Sequence, residues 1–182
     1  MDSYQHSAEG VLAHDFRFVI VAARFNDFVV EPLIRGAVET LKSRGASDQQ
    51  IAIVRVPGAF ELPIAAMKCA QSGNYDAVIA LGAVIKGGTP HFHYVSAECA
   101  SGLSRVALDT GIPVAFGVLT TDTVEQAVER AAIKPGNDMK SNMESNKGAD
   151  AALVALEMVN LFHDELFNAG PVNDKASKGR QR

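Results

Sequence analysis

The chain has 182 residues, 47% of them hydrophobic, which suits one domain with a sizeable core. Its net charge of −4 offers no overall basic character that would draw it to nucleic acid. No apolar run approaches the length of a membrane span, and the polar stretch from Met1 to His14 has no apolar signal core.

Cys69 and Cys99 lie far apart in apolar segments and fit neither a zinc spacing nor a disulfide framework. They are expected to be buried, reduced thiols, which points to a cytoplasmic protein. No internal repeat is present.

Residues 1–15 read as a flexible N-terminal arm. The run 16–23 (FRFVIVAA) is the first expected strand, and from Phe18 it is almost purely apolar, as for a strand covered on both faces. Arg24, Phe25 and Asn26 follow at its C-terminal end, the edge where open α/β sheets bind ligands. Phe25 offers either a stacking surface or core packing. Asn26 either bonds a ligand or caps the helix expected over 28–44. Val30, Leu33, Ile34, Ala37, Val38 and Leu41 give that helix an apolar stripe. The second strand is expected over 50–56 (QIAIVRV). After it comes Pro57-Gly58-Ala59-Phe60-Glu61, a tight turn opening a helix to about residue 72. Glu61 sits in the first turn, where the helix dipole favours a carboxylate and where it also faces the ligand edge.

The third strand is expected over 75–81, and it empties into Gly82-Ala-Val-Ile-Lys-Gly-Gly-Thr-Pro-His91. Adjacent glycines allow a ligand close to the main chain, and Pro90 suits the first turn of a helix. Free N–H groups at such a turn bind anions. Beside them stands His91, a residue type that carries protons near neutral pH. An anion cradle next to a proton carrier reads as an active site, against the plainer reading of a Gly-rich turn with solvated histidines.

A helix is expected over 91–110, with Val95, Cys99, Leu103, Val106 and Ala107 inward, and a fourth strand over 112–118 carrying Phe116. Thr121 or Thr123 would cap a helix over 124–133. Arg130 on it is either solvated or aimed at the anion site. Residues 134–146 read as a polar loop, and 147–167 as a last long helix with Ala152, Leu153, Leu156, Val159 and Phe162 inward. Residues 168–182 make a basic, disordered tail, read as solvated rather than as a nucleic-acid patch.

Strands alternate with helices four times. This implies a three-layer α/β/α domain over 16–167, with a four-stranded, mainly parallel, flavodoxin-like sheet and right-handed crossovers. Phe25–Asn26, Ala59–Glu61, Val84–His91 and Phe116 would then line one edge of the sheet. Neither GxGxxG nor GxxxxGK[ST] is present, so a dinucleotide or P-loop site lacks its fingerprint.

These same residues carry a resemblance. ARFN at 23–26, VPGAFELP at 56–63, ALGAVIKGGTPHFHYV at 80–95, PVAFGVLTTDTVEQAVERA at 113–131 and NKGADAALVALEMVNL at 146–161 occur in order. Together they make the chain similar to the 6,7-dimethyl-8-ribityllumazine synthase family of riboflavin biosynthesis. The resemblance implies that 5-amino-6-(D-ribitylamino)uracil is joined to 3,4-dihydroxy-2-butanone 4-phosphate without metal or organic cofactor. It implies that Phe25 stacks on the pyrimidine with Asn26 beside it, that Ala59, Phe60 and Glu61 hold the ribityl chain, and that Val84 and Ile85 meet the uracil edge. Gly88 and Thr89 would bind phosphate and His91 would carry protons. A neighbouring subunit would contribute Arg130 to the phosphate and would close the pocket with Phe116 and Lys147. A homopentamer is implied, and some members build closed shells from pentamers.

Two departures stand out. The family commonly has a carboxylate where this chain has His93, so the tuning of His91 is in question, and a His91-x-His93 metal pair is a remote alternative. Residues 138–145 look inserted, which weighs weakly against a closed shell. A flavin- or lumazine-binding protein with little catalysis is the alternative function, motivated by His93.

Overall fold

The computed structural model describes residues 12–132 and 146–163. The expected arm up to residue 11, the inserted stretch 138–145, the last turn 164–167 of the long helix and the basic tail lie outside the described residues.

The elements run β1 (Phe18–Ala23), α1 (Asp27–Ser43), β2 (Ile51–Val56), α2 (Leu62–Gln71), β3 (Ala77–Ile85), α3 (His91–Thr110), β4 (Val114–Thr121), α4 (Val124–Ala131) and α5 (Lys147–His163). Single 3-10 turns at Asp48–Gln50 and Ala59–Glu61 precede β2 and α2. The strand order is β2-β1-β3-β4. Every pair is parallel, so the sheet is wholly rather than mainly so.

The sheet is covered on both faces because its inner strands are apolar at every position. Along β1, Phe18, Ile20 and Ala22 face the layer of α1, α4 and α5. Val19 and Val21 face the layer of α2 and α3. Successive residues of a strand point to opposite faces, so one continuous apolar run feeds both cores. The chain leaves β1 leftward to β2 and leaves β3 rightward to β4. Between β1 and β3 the winding reverses, and a crevice opens at their C-terminal ends.

Two strands run further than the sequence reading placed them. β3 continues to Ile85 because β4 continues beside it to Thr121, pairing Ala83 with Leu119 and Ile85 with Thr121. Val84 and Ile85 therefore belong to a strand end rather than to a loop. Phe116 is mid-strand, opposite Ala80, and not at the C-terminal edge where the pattern put it.

α5 packs on small residues. Its buried positions are Gly148, Ala149, Ala151, Ala152, Ala155, Leu156 and Val159, whereas Leu153 is half-buried and Phe162 exposed. The reason is closeness to α1: a Cβ on Gly148 would stand 2.0 Å from the carbonyl oxygen of Leu33. Asn146 fastens this contact. Its buried side-chain amide donates to the carbonyls of Pro32 (3.1 Å) and Ala131 (2.8 Å). Its Oδ1 accepts from the N–H groups of Gly148 (2.9 Å) and Ala149 (3.1 Å), as a helix cap does. One residue thus ties α1, α4 and α5.

The described part of the N-terminal arm is anchored rather than free. The N–H of buried Ala13 donates to the carbonyl of Arg44 at 2.9 Å. The Gln50 amide reaches the carbonyls of Ala13, His14 and Phe16 at 3.3, 2.6 and 2.9 Å.

Two outcomes follow from this packing. Asn146→Ala strands buried backbone groups at the ends of α4 and α5 and is expected to cost about 3 kcal/mol in urea unfolding at unchanged m-value. Burial pushes the Cys99 thiol up to about 11 and also raises that of the half-buried Cys69. At pH 8 only about a thousandth of Cys99 is then thiolate. Iodoacetamide should modify Cys69 first and Cys99 only on unfolding, as peptide mass spectrometry would read.

Candidate active site

The end of β1 sets the floor of the crevice. Arg24 and Phe25 continue alongside β2, their N–H groups donating to the carbonyls of Val56 (2.8 Å) and Pro57 (3.1 Å). Asn26 then turns the chain with φ 59° and ψ 42°, the one non-glycine residue in the left-handed region among the described residues. It occupies the cap position of α1, yet its side chain does not cap that helix. Instead Nδ2 crosses the crevice and donates to the carbonyl of Ala83 on β3 at 2.9 Å. Asparagine tolerates left-handed backbone better than most residues, which fits it to this turn. The turn leaves Phe25 71% exposed, so the ring is not core.

Pro57 and Gly58 lead from β2 into the turn Ala59–Glu61. The Glu61 carboxylate folds back, Oε2 accepting from the Gly58 N–H at 2.9 Å. One carboxylate oxygen thereby holds the turn. Ala59 is buried and Phe60 is 58% exposed.

Beyond β3, Gly87 and Gly88 lie outside the left-handed region. A Cβ on either would meet nothing within 4 Å. Their contribution is an open approach to the main chain. α3 starts at His91, directly after Pro90.

These pieces enclose a cavity of about 640 Å³, within the range of small-molecule sites. Its wall includes Phe25, Asn26, Ala59, Phe60, Glu61, Val84, Ile85, Thr89 and His91. Gly88 lies in the loop between two wall residues, Gly87 and Thr89. Tyr94 and Val95 also line it, which the sequence reading missed. Helical spacing from His91 would have found them, since positions three and four residues on share its face.

Three expected residues are not in this cavity. Phe116 is 48% exposed on β4, the edge strand of the sheet. Arg130 rides on α4 in the opposite layer, its guanidinium donating to the carbonyl of Gln126 at 3.1 Å. Lys147 opens α5 and pairs with Asp150 at 2.6 Å. Within one chain Arg130 and Lys147 are held away from the cavity because α4 and α5 pack on the other face of the sheet.

His93 is also absent from the cavity wall, and its ring meets Phe92 edge-on at 5.3 Å between centroids. Residues two apart on a helix do not share a face, so His93 cannot reach the ring of His91 as a hydrogen-bonding partner. Among the described residues no group of three His, Cys, Asp or Glu side chains could hold a metal ion. None of the described helices is long and apolar enough to cross a membrane.

A family model described as 6,7-dimethyl-8-ribityllumazine synthase matches residues 15–163. The chain belongs to that family. The match spans the four strands and five helices of the described residues, so the crevice between β1 and β3 is that of a lumazine synthase-type fold.

The turn at Asn26 yields a test. Asn26→Gly and Asn26→Ala both remove the bond to Ala83, but only the alanine must also bear left-handed backbone. Asn26→Ala should be the less stable of the two by about 1 kcal/mol in urea unfolding.

Proposed function

We propose that this protein condenses 5-amino-6-(D-ribitylamino)uracil with 3,4-dihydroxy-2-butanone 4-phosphate, giving 6,7-dimethyl-8-ribityllumazine, phosphate and water. One observation carries the reading: in a member of this family, nine of the residues expected to bind or react line a single cavity. The exposed ring of Phe25 stacks on the flat pyrimidine. Ala59, Phe60 and Glu61 take the ribityl chain, and Val84 and Ile85 meet the uracil edge. Gly88 and Thr89 present the open loop to the phosphate.

The uracil amine attacks the ketone and forms an imine with loss of water. Phosphate then leaves, the ring closes on the second amine, and another water departs. Each step moves a proton, and His91 at the head of α3 is the group placed to carry it. Holding both reactants in one cavity supplies much of the remaining acceleration. No metal or organic cofactor enters this sequence.

Phe116, Arg130 and Lys147 complete the site from a neighbouring copy, so the working unit is a homo-oligomer, a pentamer in the first instance. The exposed aromatic rim of Phe25, Phe60 and Tyr94 supports this, because a site left so open gains from a covering surface. The alternative, a ligand-binding protein with little catalysis, drew its motive from His93. That ring is outside the cavity wall, and the motive weakens accordingly.

Mixing the two substrates should produce the lumazine chromophore. His91→Ala should lower kcat by about 10²- to 10⁴-fold while both substrates still bind. Tight binding of both substrates by the wild type with no product would overturn the catalytic reading.

A further inference from the structure

The loop that offers N–H groups to the phosphate begins with a lysine, and that lysine has an unassigned partner. The Lys86 N–H donates to the carbonyl of Thr121 at 2.9 Å, which carries the β3–β4 ladder one residue past Ile85. Strand alternation therefore still holds at Lys86. Val84, two residues earlier, packs in the layer of α2 and α3 and lines the cavity. The Lys86 side chain leaves the sheet on that same side. Its ammonium stands 3.2 Å from Oδ1 of Asp122, and both side chains are at least half exposed.

We propose that Lys86 is a phosphate-binding cation of this site, parked on Asp122 when the site is empty. The inference deepens the proposed function and rests on its phosphate subsite. A pair this exposed is worth about 0–1 kcal/mol, so a doubly charged phosphate can take the lysine from a singly charged carboxylate. The next residues, Gly87 and Thr89, are cavity wall, with open space beside Gly87 and Gly88. Arg130 lies across the sheet in the same chain, whereas Lys86 is a cation that this chain itself sets at the loop. While it is paired with Asp122, Lys86 stays off the cavity wall; release moves it to the anion.

The test titrates inorganic phosphate into the full-length wild type, Lys86→Met, Lys86→Arg and Asp122→Asn by calorimetry. Lys86→Met should weaken phosphate binding about 5- to 10-fold, since a charge-assisted contact is lost. Lys86→Arg should stay within about twofold of wild type, and Asp122→Asn should bind about 2- to 5-fold more tightly, because the competing carboxylate is gone. The opposite signs are decisive. A lysine that only fastens the ends of β3 and β4 loses the same ion pair in Lys86→Met and Asp122→Asn, and then the two variants match. Matching affinities, or no phosphate binding by wild type, overturn the inference.

Lumazine formation is a separate readout. Opposed phosphate affinities without product leave the Lys86 assignment standing and remove the catalytic reading. Product with matching affinities does the reverse.

Discussion

Everything at the ligand edge depends on one bond across the reversal of the sheet. β1 and β3 lie side by side, but the chain departs from them in opposite directions, so no connection covers their C-terminal ends. The Asn26 amide spans that gap to the Ala83 carbonyl at 2.9 Å. It ties the left-handed turn beside the exposed Phe25 to the strand end that carries Val84 and Ile85. A helix cap at Asn26 would have satisfied the start of α1 more simply. The side chain is spent on the crevice instead, a local rule broken where a site is built.

The opposite layer answers a different demand. α5 must lie close enough to α1 to cover the middle of the sheet, and small residues make that possible: Gly148 against Leu33, then alanines along the inner face. Close packing of this kind leaves backbone groups at the helix ends with little access to water. Asn146 satisfies three of them, at Ala131, Gly148 and Ala149, and adds a bond to the Pro32 carbonyl inside α1. The Asn-Lys-Gly motif therefore contains two structural residues around one outward-facing lysine.

The two layers divide the proposed site between copies. Phe25, Phe60, Glu61 and His91 belong to the crevice side, whereas Arg130 and Lys147 belong to helices on the far side of the same sheet. Within one chain the sheet separates these groups. A neighbouring copy presenting its own far side solves this without moving any element. The proposed electrostatics of the loop follow the same logic, with Lys86 at its start and Arg130 on the far layer of the same chain.

Much of the architecture was legible in the sequence because a two-sided parallel sheet writes continuous apolar runs, such as FVIVAA at 18–23. Glycine and proline punctuated the rest, and the order of elements set the layers. Nine of the cavity residues were legible for the same reason, lying at or just after strand ends that share one edge, whereas Tyr94 and Val95 on α3 were missed. What the sequence could not settle was how far β3 and β4 run. Their extent depends on pairing between Ile85 and Thr121, residues far apart in the chain, and no local pattern encodes that register. The roles of Asn26, Asn146 and His93 were likewise undecided, because a polar side chain acquires its partner only when distant backbone arrives beside it. Chemistry near a strand end is local and can be read, whereas the direction in which a side chain is spent is tertiary.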